Sequence, residues 1–297
     1  MRAVLLAIGL VAGLCAQGQS ARDRFIRYGL LLDSAQAMDR AGAHAAAVAV
    51  FDSAFALVPF MAMDYVPAVL NALAAGRDDR ANGLLAQATE NGLDISRYYY
   101  PELQEFLLSE RALPFLNLQE YVKQQWLDHA DTAMIRRLKQ VGTGQVMRVD
   151  AQGGIHMEFD STAFDRLIEL VREHGVPTAA SVGDEVYAIT HTCMDFAADF
   201  PDGPKWQQLL PWLRSAMDRG LVPPDLLASV QDMADQLHHR PMTYGETLPL
   251  LTNDADTVLM LDKAHVNAAR RAVGLGPIDH LLQRWGINPA KVRFASE

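Results

Sequence analysis

Read for its alternation of apolar and polar positions, the chain is helical almost throughout. Phe164, Leu167, Ile168 and Val171 recur at i, i+3, i+4 and i+7, the stripe of a helix that buries one face. Asp160-Ser161-Thr162 precedes the stripe and Gly175 and Pro177 follow it, so start, face and stop agree on a single element. Less sharply punctuated patterns predict helices over about 184–198, 205–219, 225–239 and 263–273. Pro277, with its preset dihedral, opens a last short helix. Upstream, Leu103, Phe106 and Leu107 fall at helical spacing, as Leu118, Tyr121 and Trp126 do more loosely. Alternation of period two surfaces only within 145–159, where a small hairpin and an irregular loop are both open readings. The expected fold class is all-α, with at most one small β-hairpin.

Laid over itself at a period of about 34 residues, the first half superposes Gly42 on Gly76, Ala47 on Ala81, Phe51 on Leu85 and Ala54 on Ala88. Glycine suits the turn between two helices, and the alanines suit places where helices approach too closely for a larger side chain. With Ala35 and Pro59 added, residues 29–60 resemble the tetratricopeptide family, and 63–96 resemble it less closely. The second unit has Leu93 where the closing proline would fall, and Pro67 stands inside its first helix, where it would kink or delay it. Stacked repeats need about three units, so the segment after Tyr98-Tyr99-Tyr100-Pro101 is expected to add packing helices, with the tyrosines as a plug. The resemblance leaves two roles open, a concave groove for a protein or peptide partner and a structural spacer. The alanine-rich first pair, with few distinctive side chains, favours the spacer.

In the second half the order His174-Gly-Val-Pro177, Val182-Gly183, His191, Tyr244-Gly245 and Asn267-Ala-Ala-Arg270-Arg271 before Gly274-Leu275 is similar to an uncharacterised family of exported bacterial domains of unknown function. The similarity covers about 145–284. The sequence departs from that pattern at Met233, Met242 and Glu246, and the resemblance implies no activity.

The ends change the picture of where the chain works. Residues 3–14 are unbroken and apolar, and Ala16-Gln17-Gly18-Gln19-Ser20 turns small and polar, as a secretory signal peptide does. Cleavage is expected after Gly18. Leu14, directly before Cys15, argues against a lipoprotein. No later stretch approaches the roughly 20 apolar residues of a membrane span. The expected product is therefore exported, periplasmic or secreted, with Cys193 its single thiol and no internal disulfide. The expected division is a signal peptide over 1–18, tetratricopeptide-like repeats over 19–116, a connecting helix over 117–144 and a helical domain over 145–297. Loss of Arg2 with the leader takes the formal net charge from -10 to -11. No run of Lys and Arg offsets it, so nucleic acid is not an expected partner.

Candidate chemistry is confined to the second half. His191 and Asp195, four apart, share a helical face, and Asp232, Asp235 and His239 share a face of a later helix. Packed together, these side chains would hold a divalent metal or perform acid–base work. The spacing His-Glu-x-x-His and paired cysteines are both absent, so no cofactor is expected. The plainer reading makes His191 an interior histidine and pairs the aspartates with solvent, Arg240 or Arg271. Tyr244 is expected to staple its loop, and of the neighbours Arg270 and Arg271 the second is expected to hold an internal carboxylate. Cys193, two residues from His191, points to another face and reads as an inert buried thiol. The leading functional expectation is a non-enzymatic binding or scaffolding module. The alternative is a metal-assisted or acid–base hydrolase built on His191, Tyr244, Arg271 and the Asp232 to His239 face.

Overall fold

A computed structural model describes residues 20–142, 145–149, 155–248 and 258–295. The expected leader and Cys15 lie outside the described residues. Helix α1 (Ala21–Arg40) opens with a reciprocal cap: the Ser20 hydroxyl accepts the Asp23 amide at 3.0 Å, and the Asp23 carboxylate receives the Ser20 amide at 3.3 Å. It pairs with α2 (His44–Phe55), and α3 (Tyr65–Ala74) pairs with α4 (Asp78–Glu90).

The two hairpins repeat each other bond for bond. At the first turn the amides of Ala41, Gly42 and Ala43 donate to the carbonyls of Ala37, Asp39 and Met38. At the second, Ala75, Gly76 and Arg77 donate to Asn71, Leu73 and Ala72, each pair shifted by 34 residues. Gly42 and Gly76 occupy the left-handed region at φ of 72° and 67°, which glycine adopts without a Cβ penalty. Ala47, Ala54, Ala81 and Ala88 are wholly buried between helices. Pro67 falls in the first turn of α3, after a 3-10 turn at Ala62–Asp64, where its missing N–H breaks no intrahelical bond.

Helices α5 (Pro101–Leu107) and α6 (Leu113–His129) follow, and α6 packs on α4. The buried Asn82 side chain locks the two together, accepting the Phe115 amide at 3.1 Å and donating to the Arg111 carbonyl at 2.9 Å. The helix is where the spacing placed it, but its buried face is Phe115 and Val122, whereas Leu118 and Tyr121 are exposed. The tyrosine triplet does not plug as a unit: Tyr98 donates to Asp184 at 3.1 Å, while Tyr99 is 83% exposed.

Beyond α7 (Thr132–Val141), of the two open readings the hairpin is present, β1 (Gln145–Val149) antiparallel to β2 (Ile155–Phe159). Helices α8 (Ala163–His174), α9 (Ala179–Val182), α10 (Tyr187–Asp195), α11 (Pro204–Asp218) and α12 (Leu226–Leu237) come next; all but the short α9, which no pattern predicts, lie close to the predicted ranges. Phe164 lies 4.9 Å from both the Phe196 and Trp206 rings at the centre of this bundle. The apolar interior does not divide near 145; one cluster runs from Phe25 to Ala234.

A separate small core, Met242 to Val292, closes the chain. It is framed by β3 (Val258–Met260), α13 (Lys263–Ala272), α14 (Ile278–Arg284) and β4 (Val292–Phe294), with β4 parallel to β3. These three-residue strands are too short for the alternation to register. Pro277 is the residue before α14 rather than its first member. Both closing helices dock on α1, where Gly274, at φ of 80°, lies so close that a Cβ would meet the Ile26 backbone at 2.9 Å. Among the described residues no helix is long and apolar enough to cross a membrane.

Candidate functional site

Asp232, wholly buried on α12, accepts the backbone amides of Thr243 at 3.1 Å, Tyr244 at 2.8 Å and Glu246 at 2.6 Å. Asp235, one turn on, accepts Gln231 at 2.8 Å, Thr243 at 3.2 Å and the Arg240 guanidinium at 3.0 Å. These carboxylates therefore shape the loop 240–247 rather than facing a ligand. Burial pushes the Asp232 carboxyl up to about 7, although the amides it accepts pull the other way.

The loop delivers Glu246 to Arg270, whose guanidinium donates to Glu246 at 2.8 Å, to the Tyr244 carbonyl at 2.6 Å and to the Gly276 carbonyl at 2.5 Å. Arg270 is 2% exposed and Arg271 faces solvent, the reverse of the expected assignment. Neighbours on a helix differ by about 100°, so what packs on α13 chooses between them.

Arg270 and Glu246 form one wall of a cavity of about 270 Å³ at the seam where the closing segment meets α1. Tyr28, Asp33 and Gln36 enter from α1, Asp64 from the turn before α3, Tyr187 from α10 and Asp225 from the Pro223-Pro224 loop. The Tyr28 hydroxyl donates to Asp64 at 2.6 Å, and Asp33 meets His280 at 2.7 Å. Asp64 and Asp225 retain part of their surface, and it opens on this cavity. Burial pushes Asp64 up to about 6, against the pull of the Tyr28 hydroxyl and the Arg284 charge. It pushes Asp225 up to about 7, reinforced by the Glu246 and Asp64 charges. The Tyr28 and Tyr187 hydroxyls are raised well above their ordinary value, chiefly by burial.

The expected constellation is not assembled. His191 is exposed on α10, and Asp195 lies half-buried on the same helix. His239 is exposed beyond α12 at φ of 54°. Helices α10 and α12 do pack together, yet among the described residues no three His, Cys, Asp or Glu side chains converge to hold a metal ion. The Tyr244 ring lines a second cavity, with Gln231 and Phe200, and burial raises its hydroxyl. Cys193 is wholly buried, and burial alone raises its thiol. Sequence reasoning passed over Asp33, Asp64 and Asp225. Their only local marks are an acidic residue at a helix start and a proline pair before an aspartate.

A second surface stands out over residues 99–121. Tyr99, Leu108, Leu113, Leu116, Leu118 and Tyr121 are all exposed, with Leu108 at 89% and Tyr121 at 63%. Comparison with protein-family models, curated proteins and solved structures finds no match to this chain.

Proposed function

We propose that this chain is an exported, tetratricopeptide-like scaffold that binds a protein partner through the outer face of α6 and the segment before it. The observation that carries the reading is the row of exposed leucines and tyrosines between Tyr99 and Leu127. In a stacked helical array the terminal unit ordinarily turns a polar face to water. Here leucines and tyrosines stand exposed among the polar residues of that face, and exposed apolar patches mark protein contacts. The repeat's other side is less available to a peptide, because α13 and α14 already rest on α1. The rival hydrolase reading has lost its geometry, since His191 and Arg271 face solvent and Asp232 is engaged by backbone amides.

The test is site-specific photo-crosslinking in the producing cell, with the probe at Leu116 and, for comparison, at exposed Glu169 on α8. Discrete heavier adducts are expected from Leu116 and none from Glu169. Adducts at neither position, or equally at both, would overturn the proposal.

A further inference from the structure

We infer that the seam cavity is a binding site for a small organic ammonium ligand, with Asp225 and Asp64 receiving the cationic nitrogen. The site is separate from the protein-binding face proposed above. At about 270 Å³ the cavity has room for a small metabolite-sized molecule.

The polar inventory sets the ligand's sign. Of the four carboxylates lining the cavity, Glu246 is answered by Arg270 and Asp33 by His280. Among the described residues Asp64 receives the Tyr28 hydroxyl alone, and Asp225 has no side-chain partner and is met only by its own backbone amide. The Gln36 Oε1, fully buried, also has no partner there. Apart from Arg284 on the rim, every unanswered group is thus an acceptor, and leaving buried acceptors unmatched is costly. A complementary ligand must bring N–H donors and positive charge. The remaining cation of the lining, Arg284, sits on the exposed rim with its guanidinium 5.4 Å from the Trp285 ring, and makes no ion pair with either aspartate.

The walls favour an organic cation over a metal ion. Phe25, Tyr28 and Tyr187 present rings, with Leu32, Met61 and Met63 beside them. Such surfaces attract an ammonium through ring quadrupoles, whereas a hard metal ion needs about six oxygens. The raised values of Asp64, about 6, and Asp225, about 7, come chiefly from burial, which outweighs the pull of the Arg284 charge on the first and of the Arg270 charge on the second. A bound cation would draw both down, so affinity should rise as pH passes from about 6 to about 8. The charged and titratable groups facing them are Tyr28, Asp33, Tyr187, Glu246, Arg270 and Arg284. Among these, Glu246 and Arg270 already cancel each other.

The experiment is isothermal titration calorimetry of the full mature chain at about pH 8. The probes are 1,5-diaminopentane and benzylamine, with 1,5-pentanediol as the neutral control. One-to-one binding of at least one amine is expected, about tenfold or more tighter than the diol. Asp225→Asn should weaken amine binding about tenfold or more, while exposed Asp279→Asn leaves it unchanged. Asn keeps the shape and removes a buried charge, so the variant should melt no lower than the parent. If it fails to fold, Asp64→Asn carries the same expectation. Equal affinity for amine and diol, no heat from either amine at millimolar concentration, or an undiminished aspartate variant would each overturn the inference. None of these outcomes touches the crosslinking result at Leu116.

Discussion

Arg270 and Glu246 are joined at 2.8 Å with the guanidinium 2% exposed and the carboxylate 20% exposed, so the pair is sealed on the arginine side and open to the seam cavity on the other. Removing one member of such a pair leaves a buried charge uncompensated. Arg270→Met should lower unfolding free energy by about 3–5 kcal/mol in urea titrations. Exposed Arg271→Met should change it by no more than about 0.5 kcal/mol. Comparable effects at the two positions would show that the pair does not anchor the loop.

Stability should fall from mildly acidic to alkaline pH. Asp64 and Asp184 stand near 6, and Asp225 and Asp232 near 7, against an ordinary 3.8, chiefly through burial. For a carboxyl raised in the folded chain, the stabilising contribution is complete below about 3.8 and is lost as pH climbs through the folded value. Each contributes a slope of up to about 1.4 kcal/mol per pH unit in that window. Asp78 and Asp160, lowered by Arg111 and Arg166, act in the opposite sense and lose their contribution as pH drops below the ordinary value. Melting temperature is therefore expected to peak near about pH 4 and to fall above it, and Asp225→Asn to flatten that decline. A melting temperature that rises from pH 5 to 8 would contradict these assignments.

The repeat is testable through its smallest residues. Ala47 and Ala81 are both 0% exposed at equivalent places in successive hairpins. Leucine at either should cost about 1–3 kcal/mol by overpacking, read by thermal or urea unfolding. Tolerance at both would mean the helices do not approach as described.

Gly274→Ala probes the seam. The added Cβ would meet the Ile26 backbone at 2.9 Å, and the left-handed φ of 80° adds strain. Amide exchange is expected to quicken in α13 and α14 and on the facing side of α1, while α4 and α6 keep their protection. Uniform loosening would argue against a localised junction.

How legible these features were in sequence follows from how far apart their parts lie. The hairpins left a trace because Gly42 and Gly76, or Ala47 and Ala81, answer the same local demand twice, 34 residues apart. Helix α8 was readable because its apolar stripe and its closing Gly175 fall within one short window. The choice between Arg270 and Arg271 was not, since it depends on the loop that Asp232 fixes from another helix. Leu118 and Tyr121 misled because an apolar helical stripe looks the same whether it meets a core or water. The cavity was invisible because Asp33, Asp64, Asp225 and Arg270 arrive from four separate segments, none with a motif of its own.

Cys193 should be silent to a thiol-reactive aromatic disulfide in the native chain and react once denaturant is added. It is 0% exposed, and burial holds its thiol well above the ordinary value. Rapid native labelling would require a local opening around α10.

The bond between Asp33 and His280 spans 247 residues of chain. One side of α1 thus waits for α14 to arrive before it is covered. Such long-range closure slows assembly relative to the local hairpins. It also makes the finished molecule a clasp: cutting away the tail would strip the first helix and open the acidic chamber to water in a single event.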